Sequence, residues 1–248
     1  MCEEWELRPA RISSRGSYNL EKETIEFFIE SNKYNSNRIT NLNEPNLVDW
    51  LLKSPHDSKL LWGLVGYNQK PLIFKEIKYP IIDDTCITPG DIDILMTCSD
   101  TPIQSVGIQC KRIKVDYSYT PAKVNKIKDI ERGIKQSNKM LSLFKFWKNY
   151  LLIIIEIDAH SQKDKNVIFR GLGDNEHREI YHTTTQNELH EEIGLIFIEV
   201  VQPAENSYFD LSKAVFIKNR DAKIQTQPYI TNKKVWVLIE NKELYGCL

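Results

Sequence analysis

The chain has 248 residues and is 41% apolar, which is enough to build a sizeable core and excludes extended disorder as its main state. Its charges almost cancel, with 33 Lys and Arg against 34 Asp and Glu, so a polyanionic partner would need a local basic patch. No apolar run approaches the roughly 20 residues of a membrane-spanning helix, and the acidic start lacks the basic and apolar stretches of a secretory signal. We therefore expect no membrane span and no export.

The cysteines favour a reducing compartment. Five of them are spread along the chain without a CxxC pair, a pattern typical of reduced thiols and not of a disulfide or zinc framework. They are Cys2, Cys86, Cys98, Cys110 and Cys247. Together with the missing export signal, this pattern predicts a cytoplasmic protein.

The first part of the chain changes from a helical to an extended pattern. Apolar residues at spacings of three and four predict amphipathic helices over residues 20–31 and 46–53. From residue 72 the apolar period changes to two, which predicts strands over 72–80, 91–97 and 105–115. Turn-forming residues between the last two strands predict an antiparallel hairpin. The three strands are therefore expected to form a meander.

A helix and a buried strand are predicted after the meander. Apolar residues recur at helical spacing over about 124–146. The nearly continuous β-branched run over 150–157 is typical of a strand that is covered on both faces. Further strands are predicted over 194–201, 213–218 and 234–240.

The predicted order of helix, three-strand antiparallel meander, helix and buried strand, with additional strands after it, indicates an α/β fold. Residues 1–160 would contain its core together with the N-terminal helices. Residues 161–248 either extend the sheet or form a small lobe, most simply as part of the same domain. No Gly/Ser-rich or Pro-rich linker separates the two parts.

Polar residues with chemical potential lie on the second strand of the meander. Successive side chains of a strand point to opposite faces, so Asp91 and Asp93 are expected on one face. Ile92, Ile94 and Met96 would fill the other face and can be buried. This arrangement leaves two carboxylates side by side on the polar face.

On the third strand, Gln109 and Lys111 likewise share a face. If the hairpin aligns the two polar pairs, two carboxylates, an amide oxygen and an ammonium converge. Such a cluster is costly unless a cation neutralises it, and oxygen ligands of this kind suit Mg²⁺ or Mn²⁺. A lysine beside such an ion can orient a water or neutralise charge that develops on a phosphate.

Residues 90–95 (GDIDIL), residues 108–112 (IQCKR) and the order of elements together resemble the PD-(D/E)xK nuclease superfamily, whose members share the restriction-endonuclease-like fold. The resemblance covers about residues 72–157, roughly a third of the chain. Gln in place of the second acidic residue is similar to the Mrr-like restriction branch. The resemblance implies a metal-dependent nuclease, most simply a DNA endonuclease of restriction or defence type.

By position, the resemblance implies catalytic roles for Asp93, Gln109 and Lys111. Asp93, Gln109 and the backbone carbonyl of Cys110 would bind Mg²⁺ or Mn²⁺, with Asp91 as an auxiliary ligand. Because Gln109 brings no negative charge, we expect it to hold the metal more weakly than an acidic residue would.

Two further features of the superfamily have possible counterparts here. Many members add an acidic ligand from the first helix, and Glu26, Glu30 and Asp49 are all eligible. The sequence does not choose among them. Gln136, on the predicted helix, resembles a Gln that several branches carry near the metal.

The segment from Lys111 to Lys148 is strongly basic, with eleven Lys and Arg against three Asp and Glu. A solvated helix face would explain this charge. Directly after the predicted site, however, it is also suited to nucleic-acid phosphates and would make binding salt-dependent. The residues expected to contact nucleic acid, most simply DNA, are Arg112, Lys114, Lys123, Lys126 and Gln136.

Three other interpretations stay open. Asp91, Asp93, Gln109 and Lys111 could form only the solvated face of a hairpin. A catalytically silent nuclease-like module could bind nucleic acid or protein, and Gln109 is its best argument. A nucleotidyltransferase would use Asp91 and Asp93 to hold two Mg²⁺, but the upstream glycines are not followed by the Ser that such a site needs. For a nuclease that cuts both strands, a homodimer is expected, and the region after residue 160 could bind a partner protein.

Overall fold

A computed structural model describes residues 27–31, 43–53, 55–98, 104–116, 119, 122–158, 172, 174–186, 188–202, 212–226 and 228–244. The strands are β1 (Phe27–Ser31), β2 (Leu72–Lys78), β3 (Asp91–Thr97), β4 (Ser105–Asp116), β5 (Lys123–Asn125), β6 (Lys148–Asp158), β7 (Ile193–Gln202) and β8 (Ser212–Arg220). The helices are α1 (Glu44–Lys53), α2 (Pro55–Leu64), α3 (Tyr79–Ile82), α4 (Ile127–Leu143), α5 (Asp174–Gln186) and α6 (Tyr229–Glu240). No helix in these ranges is long and apolar enough to cross a membrane.

All the strands belong to one mixed sheet. Its order is β1-β8-β7-β6-β4-β3-β2, and β5 pairs with β4 beside this path. β4, β6 and β7 are parallel neighbours at the centre, while every other pairing is antiparallel. β7 and β8 therefore extend the sheet that contains the meander.

Both faces of the central strand β6 are buried, as its apolar run predicts. Leu152 packs with Leu51 on the face that α1 and α2 cover. Ile153 packs with Ile134 on the opposite face, which α4 and α5 cover. Each fully buried side chain of this size contributes roughly 1.5 to 3 kcal/mol. The sheet is thus fixed between two helical layers.

A third apolar cluster lies where α3 and α6 meet the β2 end of the sheet. It contains Phe74, Tyr79, Phe144 and Val235, all nearly inaccessible to solvent. The segment between α3 and β3 is mostly exposed, but Ile82 before it and Ile92 after it both pack in this cluster. The start of β3 is therefore held there by Ile92.

The mixed α/β class is confirmed, and so are the meander, the helix after it and the buried strand. β2 ends at Lys78, two residues early, because Pro80 begins the short helix α3. Residues 123–125 form β5 and α4 begins only at Ile127, because Lys126 adopts a left-handed backbone with φ of 66°.

Two predicted elements are wrong. Residues 27–31 of the predicted first helix form β1, which pairs with β8, while residues 20–26 lie outside the described residues. The predicted strand 234–240 belongs to α6. Its Val-Trp-Val sequence has high strand propensity, but Val235 fills the third cluster and Val237 stays exposed, as expected for a helix packed on one side. The helices α2, α3 and α5 were not predicted.

Candidate active site

Two strands, β3 and β5, pair with different parts of the same edge of β4, and a gap remains between them. Residues 105–108 pair with β3, and residues 114–116 pair with β5. β6 runs along the whole of the other edge. Within the part of the chain that the structure describes, residues 109–113 therefore have no strand partner on the first edge. Their backbone groups are available to side chains there.

Two carboxylates occupy this gap. Asp93, on β3, accepts a hydrogen bond from the backbone N–H of Cys110 at 2.6 Å. Glu44, the first residue of α1, accepts one from the backbone N–H of Arg112 at 3.2 Å. An acid from a strand and an acid from a helix thus replace the missing strand, and they stand at the same edge of β4.

Lys111 reaches the same gap from the face that α4 covers. Its Nζ lies 3.2 Å from Glu44 Oε1 and 3.9 Å from Asp93 Oδ2. It also donates a hydrogen bond to the Cys110 carbonyl at 2.5 Å. Only 7% of the Lys111 side chain is exposed, so this ammonium is almost fully withdrawn from water.

Gly133 of α4 makes room for the Lys111 stem. A Cβ at Gly133 would lie 2.5 Å from Lys111 Cγ and 3.2 Å from Leu151 Cδ1. Any larger residue would therefore push the stem away from the helix. Close approach of the helix backbone lets Lys111 be buried and still reach the gap.

The electrostatics of the site are dominated by burial. Burial raises the pKa of the Asp93 carboxyl from 3.8 to about 6, although Lys111 and the Cys110 N–H act in the opposite direction. The charges of Glu44 and Asp91 add to the rise. Burial by itself would lower the pKa of the Lys111 ammonium, but Asp93 and Glu44 outweigh it and raise that pKa. Lys111 is therefore a cation at neutral pH.

Gln109 is fully buried beside these groups. Its Nε2 donates to the Asp91 backbone carbonyl at 2.5 Å and lies 3.8 Å from Met140 Sδ. A carbonyl only accepts hydrogen bonds, so this contact fixes which end of the amide is nitrogen. Gln109 Oε1 is buried with no hydrogen-bond partner in the described part of the chain. An amide oxygen without a hydrogen-bond partner can be a ligand for a cation.

The predicted alternation along β3 is wrong at Ile92. Ile94 and Met96 pack on the α1 face, whereas Ile92 belongs to the third cluster. The register of β2 and β3 sets Glu76 opposite Asp93, and Glu76 has a φ of 52°. A left-handed residue interrupts the pleat, so the strict period of two fails where Asp93 lies.

Of the three acids eligible for the helix ligand, the two that the structure describes have other positions or partners. Glu26 lies outside the described residues. Glu30 is on β1, at the far edge of the sheet from β3. Asp49 pairs with Lys75 and, at 3.6 Å, with Lys53. It is thus committed to another ion-pair cluster.

Glu44 is the residue that sequence reasoning missed. Asn43 caps α1, because its Oδ1 accepts from the Asn46 N–H at 3.0 Å. The signal was available in Asn43-Glu44-Pro45, which marks a helix start and an acid in its first turn. The sequence does not show that this turn contacts β4, because Glu44 and Lys111 are 67 residues apart in the chain.

Arg112, expected to contact nucleic acid, lies instead in a buried ion pair. Its guanidinium donates to Glu156 Oε2 at 2.5 Å, and the two side chains are 11% and 0% exposed. Alternation along β4 points Arg112 and Lys114 away from the face of Lys111. Burial raises the pKa of Glu156, while Arg112 and Lys114 act against that rise. This pair is a structural feature of the sheet.

The other predicted contacts differ in position. Lys123 is exposed, and its ammonium lies 5.5 Å from the centre of the Tyr119 ring. Lys126 is exposed at the start of α4. Gln136 lies one helical turn before Met140, the neighbour of Gln109, and its Oε1 is buried with no partner among the described residues. Further exposed cations on α4 are Lys128, Arg132 and Lys135.

The donor set of the gap fits a hard divalent cation. Asp93, Glu44 and the Cys110 carbonyl supply oxygens, and Gln109 Oε1 adds an unused one nearby. Oxygen ligands of this type suit Mg²⁺ or Mn²⁺. The set holds only two carboxylates, in keeping with the finding that no three His, Cys, Asp or Glu side chains cluster as metal ligands in the ranges described.

Comparison with known proteins adds nothing to this geometry. Neither a family model nor a curated protein matches the chain. Membership of the PD-(D/E)xK superfamily therefore stays a prediction. The arguments for the site are the contacts of Asp93, Glu44 and Lys111.

Proposed function

We propose that the protein is a nuclease that uses Mg²⁺ or Mn²⁺ to hydrolyse phosphodiester bonds, most simply a DNA endonuclease of restriction or defence type. One observation carries this proposal. The gap in β4 collects two carboxylates, a backbone carbonyl and a charged lysine, whose ammonium hydrogen-bonds the Cys110 carbonyl and Glu44 and lies 3.9 Å from Asp93. A merely solvated hairpin face would not bury a lysine between two acids.

In this proposal, Asp93, Glu44 and the Cys110 carbonyl would hold the metal, and Gln109 Oε1 would be a further ligand. When bound, the metal supplies Lewis-acid chemistry, which polarises a phosphodiester and lowers the pKa of a water. The backbone carbonyl of Asp91 positions the Gln109 amide, and the role of its carboxylate as an auxiliary ligand stays a prediction.

Lys111 would bind the reacting phosphate or orient the attacking water through its ammonium N–H groups. In the metal-free protein its raised pKa keeps it charged at neutral pH, so it can donate hydrogen bonds. Its burial strengthens its interaction with negative charge that develops on the phosphate. Gly133 and the packing of α4 hold the stem in place.

Nucleic acid would be held by exposed cations of α4 and of the segment before it. Lys123 and Lys126 remain in this proposed surface, while Arg112 leaves it because Glu156 neutralises it. Each phosphate contact makes affinity depend on salt. Replacing Lys128, Arg132 and Lys135 together by Gln should make the negative slope of log affinity against log salt shallower by about 3, if each contacts one phosphate of duplex DNA.

The test is cleavage of plasmid and short duplex DNA with Mg²⁺ or Mn²⁺, beside RNA of the same sequence. Asp93→Asn and Glu44→Gln should each lower the rate by about 100-fold or more, because each removes a charged ligand. Asp49→Asn is the matched control, since Asp49 is on the same helix as Glu44 and outside the gap. Equal cleavage by all of these proteins would refute the proposal.

A catalytically silent nucleic-acid-binding module is the second candidate. The presence of Gln109 where an acid would strengthen metal binding favours it. Such a module would bind DNA with the salt dependence described above and would release no product with either metal. The homodimer and the partner surface after residue 160 stay predictions, and a molar-mass measurement in solution tests the homodimer.

A further inference from the structure

The Lys111 ammonium lies among the oxygens that the proposed function assigns to a metal. It is 2.5 Å from the Cys110 carbonyl, 3.2 Å from Glu44 Oε1 and 3.9 Å from Asp93 Oδ2. The first two are hydrogen-bonding distances and the third is an ion-pair distance, so the ammonium interacts with each proposed ligand of the gap except Gln109. The Lys111 ammonium is thus the cation that these oxygens contact.

At this position an ammonium and a divalent ion compete for the same oxygens. Both are positive, and each needs the same carbonyl and the same carboxylates at contact distance. The two acids carry two negative charges, which Lys111 half neutralises in the absence of metal. Removing the lysine would therefore leave Glu44 and Asp93 without a positive partner inside the gap.

We infer that Lys111 occupies the cation position when no metal is bound, and that a divalent ion enters only as the ammonium leaves the Cys110 carbonyl. This inference rests on the proposed function and deepens it, because it makes metal binding and the release of Lys111 a single event. The lysine that is freed in this way can then turn to the phosphate. Lys111 therefore limits the binding of metal to the gap.

The consequence is a measurable cost in affinity. If the ammonium holds the oxygens in nine of ten molecules, the apparent Kd for the metal is raised about tenfold. Lys111→Met keeps the length of the stem and removes the charge. This variant should bind Mn²⁺ about tenfold more tightly than the wild type, although it would lose the proposed activity.

The experiment is titration of the intact protein with Mn²⁺, followed by calorimetry and by the paramagnetic signal of the free ion. Lys139→Met is the matched control, because its ammonium binds the Pro89 carbonyl at 2.8 Å outside the gap. Lys139→Met should leave the Mn²⁺ Kd unchanged. Equal or weaker binding by Lys111→Met than by the wild type would overturn the inference.

A second readout protects the test against a variant that folds poorly. In EDTA, Lys111→Met should have a lower Tm than the wild type, and saturating Mg²⁺ should raise its Tm by more than it raises that of the wild type. Lys111→Gln should behave in the same way. A smaller Mg²⁺-induced rise in both variants contradicts the inference. If neither the wild type nor Lys111→Met binds Mn²⁺, the proposed function fails. If the wild type binds Mn²⁺ and cleaves DNA, but Lys111→Met does not bind Mn²⁺ more tightly, the proposed function stands and the inference about Lys111 fails.

Discussion

Replacing Asp93 by Asn should stabilise the metal-free protein at neutral pH, although it destroys the proposed site. Burial raises the pKa of Asp93 from 3.8 to about 6, so the folded state binds this proton more tightly than the unfolded state does. The contribution of Asp93 to stability is therefore greatest below about pH 4 and is lost as the pH rises through about 6.

The size of the effect follows from the same shift. A rise from 3.8 to about 6 corresponds to about 3 kcal/mol between the protonated and the ionised carboxyl. Asn keeps an oxygen for the Cys110 N–H, and the shift already includes the attraction between Lys111 and the ionised carboxylate. We expect the free energy of unfolding of Asp93→Asn to improve relative to the wild type by about 2 kcal/mol between pH 4.5 and pH 7.5.

Urea denaturation at several pH values, in EDTA and in saturating Mg²⁺, measures this directly. Metal binds the ionised carboxylate of the wild type, so Mg²⁺ should cancel or reverse the advantage of the variant. Asp49→Asn is the control, and its stability relative to the wild type should not respond to Mg²⁺. A difference between Asp93→Asn and the wild type that is independent of pH, or unchanged by Mg²⁺, would refute the reasoning.

Two further sets of substitutions test the packing of Gly133 beside Lys111 and the buried ion pair of Arg112 and Glu156. Gly133→Ala should destabilise by about 1 to 3 kcal/mol and displace Lys111, whereas Gly63→Ala, with nothing within 4 Å of the added Cβ, should be neutral or stabilising by thermal melting. Equal stability of the two variants would contradict this account of the Lys111 stem. Glu156→Gln should lower the unfolding free energy by about 3 to 5 kcal/mol, because it removes the buried negative charge that faces the Arg112 guanidinium. Arg112→Met combined with Glu156→Leu should recover most of that loss, and no recovery would argue against a buried ion pair.

Local patterns predicted most of the central sheet. The period of two over residues 91–97 and 105–115 and the apolar run at 150–157 correspond to β3, β4 and β6. These strands are decided by their own alternation or by burial on both faces, which the sequence displays. The pairing of Gln109 and Lys111 on one face also follows from alternation alone. The same rule places Arg112 on the opposite face. Its positive charge alone led to the expectation that it contacts nucleic acid.

Elements that depend on distant contacts were not predictable. Val235 lies in a strand-forming sequence, yet α6 forms because its helical face fits the third cluster. Glu44 joins the site only because α1 packs on the sheet and its first turn reaches β4. The break in alternation at Ile92 depends on the left-handed backbone of Glu76 on the neighbouring strand. None of these facts is encoded within a single window of the chain.

The central claim is that the gap in β4 binds a divalent cation through Asp93, Glu44 and the Cys110 carbonyl. A crystal structure of the protein soaked with Mn²⁺, with anomalous scattering recorded at the manganese edge, tests it most directly. The account predicts an anomalous peak that contacts Asp93 and the Cys110 carbonyl, with the Lys111 ammonium moved off that carbonyl. A structure in which Lys111 still binds both carboxylates and no manganese lies beside Asp93 would contradict it.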